Sequence, residues 1–396
     1  MKKRLFRIDY IEAIAILIGT IIGAGILAIP YAIAKVGFLT GLLDLIILSI
    51  AVIFLYLYMG EIVLATKGKH QLTGYAQKYL GSKGKTLMAF TMIFGIYGAL
   101  IAYLIGVGKS LAALFGLQGG ILILGHSCSY ALLFSILFFI IASTIVYLGI
   151  RAVGGSELLM IIVISIIILI SIFSLTKANF SNLAYFDITK FFIPYGVILF
   201  ALAGAVAIPE MREEIKNPKR LKKAIIIGTL IPIFLYLVFA FSVIAALGSE
   251  TTEIATIGLG KHFGEIMVIF GNLFAVFAMS TGFFALGLGL KEMYNYDYKI
   301  KKGLSWILAC IIPLILFFLV VYYIPTERFY KVISLSGGLA MTLEGILIVL
   351  IHNKVKQLKE TEPAYSIRKS IIIYSILILI FALGMIYTIL NFVGLI

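Results

Sequence analysis

Long apolar stretches recur along the whole chain and are separated by short polar connections that carry most of the charges. A helix needs about 20 apolar residues to cross a bilayer core of about 30 Å, because each residue adds about 1.5 Å to its length. The pattern therefore predicts an all-α integral membrane protein whose residues 1–396 form a single membrane domain. The eleven predicted transmembrane helices, numbered as spans 1 to 11, lie at 10–34, 38–65, 85–110, 127–149, 152–175, 190–210, 222–248, 263–290, 303–323, 329–352 and 370–393.

The composition excludes a water-soluble globule. Hydrophobic residues make up 62% of the chain and charged residues 13%, whereas soluble domains carry about 25% charged residues. The first apolar stretch is not followed by a small-residue cleavage site and a soluble body. It is therefore interpreted as a span and not as a signal peptide.

The positive residues that give the chain its net charge of +14 lie mainly in the connections between the spans. If the N-terminus is cytoplasmic, 25 of the 32 Lys and Arg residues fall in the tail and the connections on the cytoplasmic side. This asymmetry agrees with the positive-inside rule. We therefore expect a multi-pass protein of the cell (plasma) membrane with a cytoplasmic N-terminus and an extracytoplasmic C-terminus. The expected partners are the lipid bilayer and a small-molecule substrate, without nucleic acid, and the oligomeric state is left open.

Small residues interrupt spans 1 and 6 near the middle of the bilayer, at 23–25 and 201–205. Broken helices at matching positions of two halves indicate a binding site between inverted repeats. Because these spans are five apart, two five-span repeats must have opposite orientations, and they are predicted at 9–175 and 190–352, followed by an additional helix at 370–393. The alternative is helix packing, since Gly19 and Gly23 also form a small-xxx-small motif.

An interrupted helix exposes N–H groups at the start of one half and C=O groups at the end of the other, which suits a zwitterion. We predict that the carboxylate of an amino acid binds N–H groups of span 1 and that its ammonium group binds carbonyls of span 6. The apolar surroundings favour a hydrophobic or aromatic side chain. The predicted substrate-binding residues around the interruptions are Ile22, Gly23, Ala24, Gly25, Ile26, Phe200, Ala201, Leu202, Ala203 and Gly204.

Span 3 contributes Tyr97 and Tyr103 to the predicted substrate site. Their spacing of six residues places them on different faces of a helix, so at most one hydroxyl can point at the substrate. The other tyrosine is expected to pack against lipid or a neighbouring helix.

The sequence contains no nucleotide-binding loop, so the energy source is expected to be a proton or sodium gradient. Neither the histidines nor the cysteines have the spacing of metal ligands, and no cofactor or metal is expected. A sodium ion would be bound by carbonyls of Gly19 and Ile22 together with hydroxyls of Ser280 and Thr281. The alternative is that these hydroxyls bond to carbonyls of their own helix.

Three acids lie within the predicted spans, where ionisable groups are costly and usually functional. Glu344 is ten residues from Lys354 and is the leading candidate for proton binding. Glu61 is a second coupling-ion candidate, with pairing to a base of an inner connection as the alternative. Asp44 lies close to the outer end of span 2 and is expected to reach water.

The segment GTIIGAGILAIPYAIAKVGF resembles the opening signature of the aromatic amino-acid permeases, within the amino acid/auxin permease superfamily. The resemblance implies a fold of the leucine-transporter kind and coupled uptake of amino acids. Many members carry a histidine in the break of span 6, where this chain has only Ala, Leu and Gly. The likeness continues at 61–64, 73–81, 97–103, 193–239 and 278–292.

These observations lead to one main functional hypothesis. The chain is expected to be a symporter that takes up neutral amino acids with bulky hydrophobic or aromatic side chains, with protons favoured over sodium. The alternative is a membrane-embedded amino-acid receptor of the same fold, of the spore-germinant type, that binds without net transport. An enzyme is not expected, because the spans lack a catalytic constellation.

Overall fold

A computed structural model of the protein describes residues 2–117, 119–123, 126–149, 156–296, 298–358 and 361–395. These residues are almost entirely helical. The helices of the first half are α1 (Lys2–Ile21), α2 (Gly25–Ala34), α3 (Phe38–Ala65), α4 (Leu72–Leu114), α5 (Tyr130–Leu148) and α6 (Ser156–Leu175). Those of the second half are α7 (Tyr195–Ala201), α8 (Ala207–Glu214), α9 (Leu221–Leu247), α10 (Ala255–Phe263), α11 (Glu265–Tyr296), α12 (Lys302–Trp306), α13 (Ile312–Tyr323), α14 (Arg328–Ser336), α15 (Thr342–Leu358) and α16 (Ile371–Val393).

Several shorter elements connect or interrupt these helices. Strands β1 (Gly120–Ile123) and β2 (His126–Ser129) form an antiparallel hairpin before α5. Two π-helical turns join helices into continuous rods, Ile307–Ile311 between α12 and α13 and Gly337–Met341 between α14 and α15. Single 3₁₀ turns lie at Phe180–Leu183, Ile188–Lys190, Pro218–Arg220 and Gly248–Glu250.

The two predicted helix breaks are present. Span 1 consists of α1 and α2, which are bent by 52° relative to each other. Span 6 consists of α7 and α8, separated by residues 202–206. In both spans a proline follows within the second half, at Pro30 in α2 and at Pro209 in α8.

Other boundaries differ from the prediction. Span 3 was expected at 85–110, but α4 starts at Leu72 and contains a non-helical Gly81 with φ of +73°. A positive φ interrupts the helix and is tolerated here because the residue is glycine. Gly81 thus separates residues 72–80 from the predicted span. The predicted start of span 5, at 152–155, lies outside the described residues.

Within the described residues, eight helices are long and apolar enough to cross a membrane, or nine if α1 and α2 count as one span. The predicted total of eleven also includes spans 5 and 6. Span 5 corresponds to α6, whose apolar part, Met160–Leu175, is shorter than the other spans among the described residues. Span 6 is divided into two helices of seven and eight residues, neither of which could cross a bilayer alone.

The core lies around α4, and α16 is peripheral. In the most apolar part of α4, 67% of the helix is buried inside the protein, compared with 22% in α16. The exposed side chains of α16 are themselves apolar, as Ile371 and Leu379 show. The surface that α16 presents is therefore suited to lipid.

Candidate functional site

The breaks of α1–α2 and α7–α8 lie against each other in the protein interior. A Cβ placed on Gly25 would lie 2.5 Å from the Cβ and 3.1 Å from the backbone nitrogen of Ala201. Only a glycine allows this approach of the two backbones. The first residues of α2 and the last residues of α7 are consequently neighbours, which brings together N–H and C=O groups that a helix end leaves without a partner in the helix itself.

Tyrosine hydroxyls bind the carbonyls that the breaks leave free. The hydroxyl of Tyr236 on α9 lies 2.7 Å from the carbonyl oxygen of Ile21 and 2.9 Å from that of Ala201. The hydroxyl of Tyr56 on α3 donates to the carbonyl of Leu202. Both tyrosines are buried, so they replace water as hydrogen-bond partners of the broken backbone.

A cavity of about 450 Å³ adjoins both breaks. It extends to residues at the start of α4, in α8 and near the end of α11 on one side of the protein, called the basic face because the Lys- and Arg-rich connections lie there. The side chains that line it near the breaks are largely apolar. Its lining includes Gly23, Ala24, Gly25, Met92, Ile96, Tyr103, Phe200, Ala203, Gly204, Leu286, Met293, Met341 and Glu344.

The opposite side of the protein, called the far face, is closed above the breaks. Lys35 at the end of α2 forms an ion pair of 2.6 Å with Glu327, which also accepts a hydrogen bond from Tyr31. Burial raises the pKa of the Glu327 carboxyl, but the hydrogen bonds from Lys35 and Tyr31 outweigh it and hold that pKa below its ordinary value. The ring of Tyr31 packs edge-on against that of Tyr330, with centroids 5.4 Å apart.

A second ion pair reinforces this closure. Lys109 on α4 pairs with Glu253, whose other carboxylate oxygen accepts the backbone N–H of Tyr330 at 3.2 Å. The far-face contacts thus join α2, α4 and α14 with the connection before α10.

The two tyrosines of span 3 point in different directions, as their spacing predicts. Tyr103 lines the cavity, and a Cβ on Gly23 would lie 3.3 Å from its hydroxyl. Tyr97 instead donates to the carbonyl of Leu308 at 2.7 Å and lies 3.2 Å from the hydroxyl of Tyr294. Its hydroxyl is therefore held between α11 and the π-helical turn that follows α12.

The remaining substrate-site predictions are distributed around the breaks. Ile22, Ile26, Ala201 and Leu202 are buried next to the cavity-lining residues, and they are not themselves part of the lining found in the described residues. Their role as ligand contacts stays a prediction.

The hydroxyls predicted for a sodium site bond to their own helix. Ser280 donates to the carbonyl of Val276 at 2.6 Å, and Thr281 lies 3.2 Å and 3.0 Å from the carbonyls of Phe277 and Ala278. Of the two predicted carbonyl ligands, Ile22 is buried, whereas Gly19 is exposed, with no atom within 4 Å of a Cβ built on it. This geometry matches the alternative in which such hydroxyls serve the helix.

Glu344 and Glu61 have contrasting surroundings. Glu344, in the first turn of α15, lines the cavity and makes no hydrogen bond within the described part of the chain. Glu61 is buried away from the cavity lining, and its carboxylate accepts hydrogen bonds from His352 at 3.0 Å and from Lys356. It also accepts the backbone N–H of Ile367 at 2.7 Å, so it ties the connection before α16 to α3.

Asp44 does not reach water, contrary to the expectation from its position in span 2. Its side chain is buried with 1% of its surface exposed, and neither carboxylate oxygen has a hydrogen-bond partner among the described residues. Helices packed around α3 exclude solvent at a depth where an isolated helix would still be near the membrane surface.

Sequence reasoning did not identify the tyrosines at the breaks or the ion pairs of the far face. Lys35 and Glu327 are 292 residues apart, so no local pattern connects them. For Tyr56 and Tyr236 the sequence offers one indication, the residue type itself. A tyrosine inside a span commonly needs a hydrogen-bond partner for its hydroxyl.

Known proteins resemble this chain in sequence and in structure. The glutamine transporter 2 of Aliivibrio fischeri is 25% identical over 361 residues, which cover 88% of this chain and 90% of that protein. The tyrosine-specific transport system 1 of Haemophilus influenzae is 26% identical over 291 residues, covering 69% and 70%. The crystal structure of MhsT in complex with L-phenylalanine matches with a TM-score of 0.67 at 16% identity, over 97% of this chain and 98% of that one.

Two broken helices around a central cavity, together with the structural match to MhsT over nearly the whole length, show that the chain has the leucine-transporter-like fold. The model of the tryptophan/tyrosine permease family matches residues 8–390, and the chain belongs to that family. It is a multi-pass amino-acid transporter and not an enzyme. The family resemblance and the fold class inferred from the sequence are thereby confirmed.

Proposed function

We propose that the protein is a secondary active symporter that takes up neutral amino acids with bulky hydrophobic or aromatic side chains, driven by protons rather than sodium ions. The observation that carries the proposal is the cavity, because residues of both helix breaks and the acid Glu344 line it together. In folds with inverted repeats, alternating access proceeds around such a central site. The repeats proposed for this chain remain 9–175 and 190–352.

The substrate carboxylate would bind the first N–H groups of α2, around Gly23, Ala24 and Gly25, close to the hydroxyl of Tyr103. The N-terminal end of a helix favours an anion through its dipole and its unpaired donors. Tyrosine hydroxyls already bind the carbonyls of Ala201 and Leu202, and the N–H of Ala207 binds that of Gly204. The ammonium group would therefore meet the carbonyl of Ala203, between them.

The lining of the cavity supports a neutral substrate with an apolar side chain. Met92, Ile96 and Phe200 contribute hydrophobic surface, and the acids Glu210, Glu292 and Glu344 also line the cavity. The lining found in the described residues contains no Lys, Arg or His, which disfavours anionic side chains. The named ligands of the related proteins, glutamine, tyrosine and L-phenylalanine, are likewise neutral.

Glu344 supports proton coupling. It faces the cavity without a hydrogen-bond partner in the described part of the chain, so its proton could exchange with water when the cavity is open. The hydroxyls of Ser280 and Thr281, in contrast, are engaged with their own helix. If the basic face is cytoplasmic, as the charge distribution predicts, the cavity opens inward in this conformation.

Uptake into proteoliposomes with imposed proton or sodium gradients tests this proposal, using a panel of labelled amino acids. The expected result is sodium-independent accumulation of large neutral amino acids that a protonophore abolishes. Glu344→Gln should lose accumulation while keeping counterflow of labelled substrate. Strict sodium dependence would refute proton coupling, and binding of amino acids without any counterflow would favour a receptor.

A further inference from the structure

Asp44 is a buried acid that the proposed substrate and coupling sites do not use. It is the seventh residue of α3, about 9 Å along the helix from Phe38, in the half of the protein next to the far face. Only 1% of its surface is exposed, and both carboxylate oxygens lack hydrogen-bond partners within the described residues. The hydroxyl of Thr40, one helical turn earlier, is also buried and unpartnered there.

Among the described residues, no group around Asp44 would compensate a negative charge. The titratable group that faces it among the described residues is the hydroxyl of Tyr195 on α7. That hydroxyl is already held by the side chain of Thr342 at 2.8 Å and the carbonyl of Phe381 at 3.3 Å. From α2, α8, α9 and α15, which also pack on α3, no charged side chain in the described ranges interacts with Asp44, including those of the charged helix α8.

An ionised carboxylate in such a place would lose its hydration without gaining a partner, which is strongly unfavourable. The neutral acid carries a much smaller penalty. With the far face closed, as here, Asp44 is therefore expected to hold a proton. Opening of the far face, by separation of Lys35 from Glu327, would bring water to this end of α3 and allow the proton to leave.

We infer that Asp44 is a second proton-binding site, and that the far face closes only when this site holds a proton. The inference rests on the alternating-access cycle of the proposed function, and it adds a requirement to one step of that cycle. A proton taken up from the far side would permit closure, because closure transfers Asp44 from water to an apolar environment.

The first test measures the rate of amino-acid uptake as a function of far-side pH, in the wild type and in Asp44→Asn. Each proton that must bind changes the rate by up to about tenfold per pH unit above its titration midpoint. The asparagine of Asp44→Asn resembles the protonated acid in size and charge, so one proton fewer has to bind in this variant. The change of uptake rate per pH unit should therefore be smaller than in the wild type by a factor of up to about ten. An unchanged slope would overturn the inference.

Ser49→Ala is the matched control. Ser49 lies on the same helix and is likewise buried without a partner among the described residues, but its hydroxyl does not titrate in this range. This variant should retain the wild-type slope. Equal loss of slope in both variants would assign the effect to packing of α3 and would also contradict the inference.

A second test uses the wild-type protein and therefore does not depend on whether a variant folds. The chain has four aspartates, Asp9, Asp44, Asp187 and Asp297, and of these only Asp44 lies inside a predicted span. Infrared spectra of the wild type at neutral pH should show the C=O band of a protonated carboxylic acid that moves when aspartate is ¹³C-labelled. Absence of a label-sensitive band would show that Asp44 is ionised and would refute the inference.

The two proposals fail in different measurements. Sodium-driven uptake by the wild type would refute proton-driven symport, yet Asp44→Asn would still flatten the response to far-side pH if Asp44 controls closure. Conversely, proton-driven uptake with equal slopes in the wild type and Asp44→Asn would leave the symporter intact and refute the role of Asp44.

Discussion

The break between α1 and α2 and the break between α7 and α8 face the same cavity, but they are held in different ways. The first leaves residues 22–24 outside regular helix, and its glycine at position 25 meets the backbone of Ala201. The second leaves residues 202–206, and the nearest atoms to a Cβ on Gly204 would be side-chain atoms of Ile21, Tyr56 and Leu17.

The hydrogen bonds show the same difference. Two consecutive carbonyls at the second break, of Ala201 and Leu202, accept bonds from tyrosine hydroxyls. At the first break the carbonyl of Ile21 accepts a hydrogen bond from Tyr236, the same tyrosine that binds the carbonyl of Ala201. We infer that steric contact fixes the first break, whereas hydrogen bonds from α3 and α9 fix the second. The second break therefore has more room to change during transport.

Gly25→Ala should have the largest effect, because the new methyl group would overlap the backbone of α7. Overpacking of a tight interior costs about 1–3 kcal/mol. The cost of this variant should lie at the upper end of that range, because a backbone cannot rotate away as a side chain can. Such a cost is equivalent to roughly a hundredfold loss of uptake. The initial rate of labelled amino-acid uptake, corrected for the amount of protein in the membrane, measures it.

Gly303→Ala provides the control for this substitution. A Cβ on Gly303, in the first turn of α12, would have no atom within 4 Å, and uptake should be unchanged. If Gly25→Ala transported within twofold of the wild type, the steric account of the first break would be wrong.

Tyr236→Phe should have the next largest effect, because it removes the hydroxyl that both breaks share. A buried carbonyl left without a partner costs about 1–3 kcal/mol, and here the carbonyls of Ile21 and Ala201 compete for the same donor. We expect a lower thermal stability and roughly a tenfold slower uptake. Tyr56→Phe removes a hydroxyl that contacts the second break alone, at the carbonyl of Leu202 and the backbone of Gly204. It leaves the first break intact and should cost less, so equal losses would contradict the shared role of Tyr236.

The positions of the breaks could be predicted from sequence because their causes are local. Glycines at 23 and 25, small residues at 201–205 and the prolines that follow are visible in a short window. The same is true of α3, whose predicted bounds, 38–65, agree with those in the structure. A helix surrounded by lipid or protein on all sides shows itself through continuous hydrophobicity.

Contacts between distant parts of the chain could not be predicted in this way. The spacing of Tyr97 and Tyr103 shows that they lie on different faces, but only the packing of α4 shows that Tyr103 faces the cavity. The partner of Glu61, His352, is 291 residues away. The burial of Asp44 was misjudged for the same reason, since distance from a helix end does not reveal which neighbouring helices exclude water.

Gly204→Ala should have the smallest effect and compares the two breaks directly. A Cβ there would lie 2.7 Å from Cγ1 of Ile21, 3.0 Å from the hydroxyl oxygen of Tyr56 and 3.3 Å from Cδ1 of Leu17. Side-chain ends can shift, so we expect a cost of about 1 kcal/mol and roughly a fivefold slower uptake. In the double variant with Tyr56→Phe, loss of the hydroxyl relieves one of these contacts, and the combined cost should be smaller than the sum of the single costs. Strict additivity, or a loss as large as that of Gly25→Ala, would show that the second break is also fixed by backbone contact and that the distinction between the breaks does not hold.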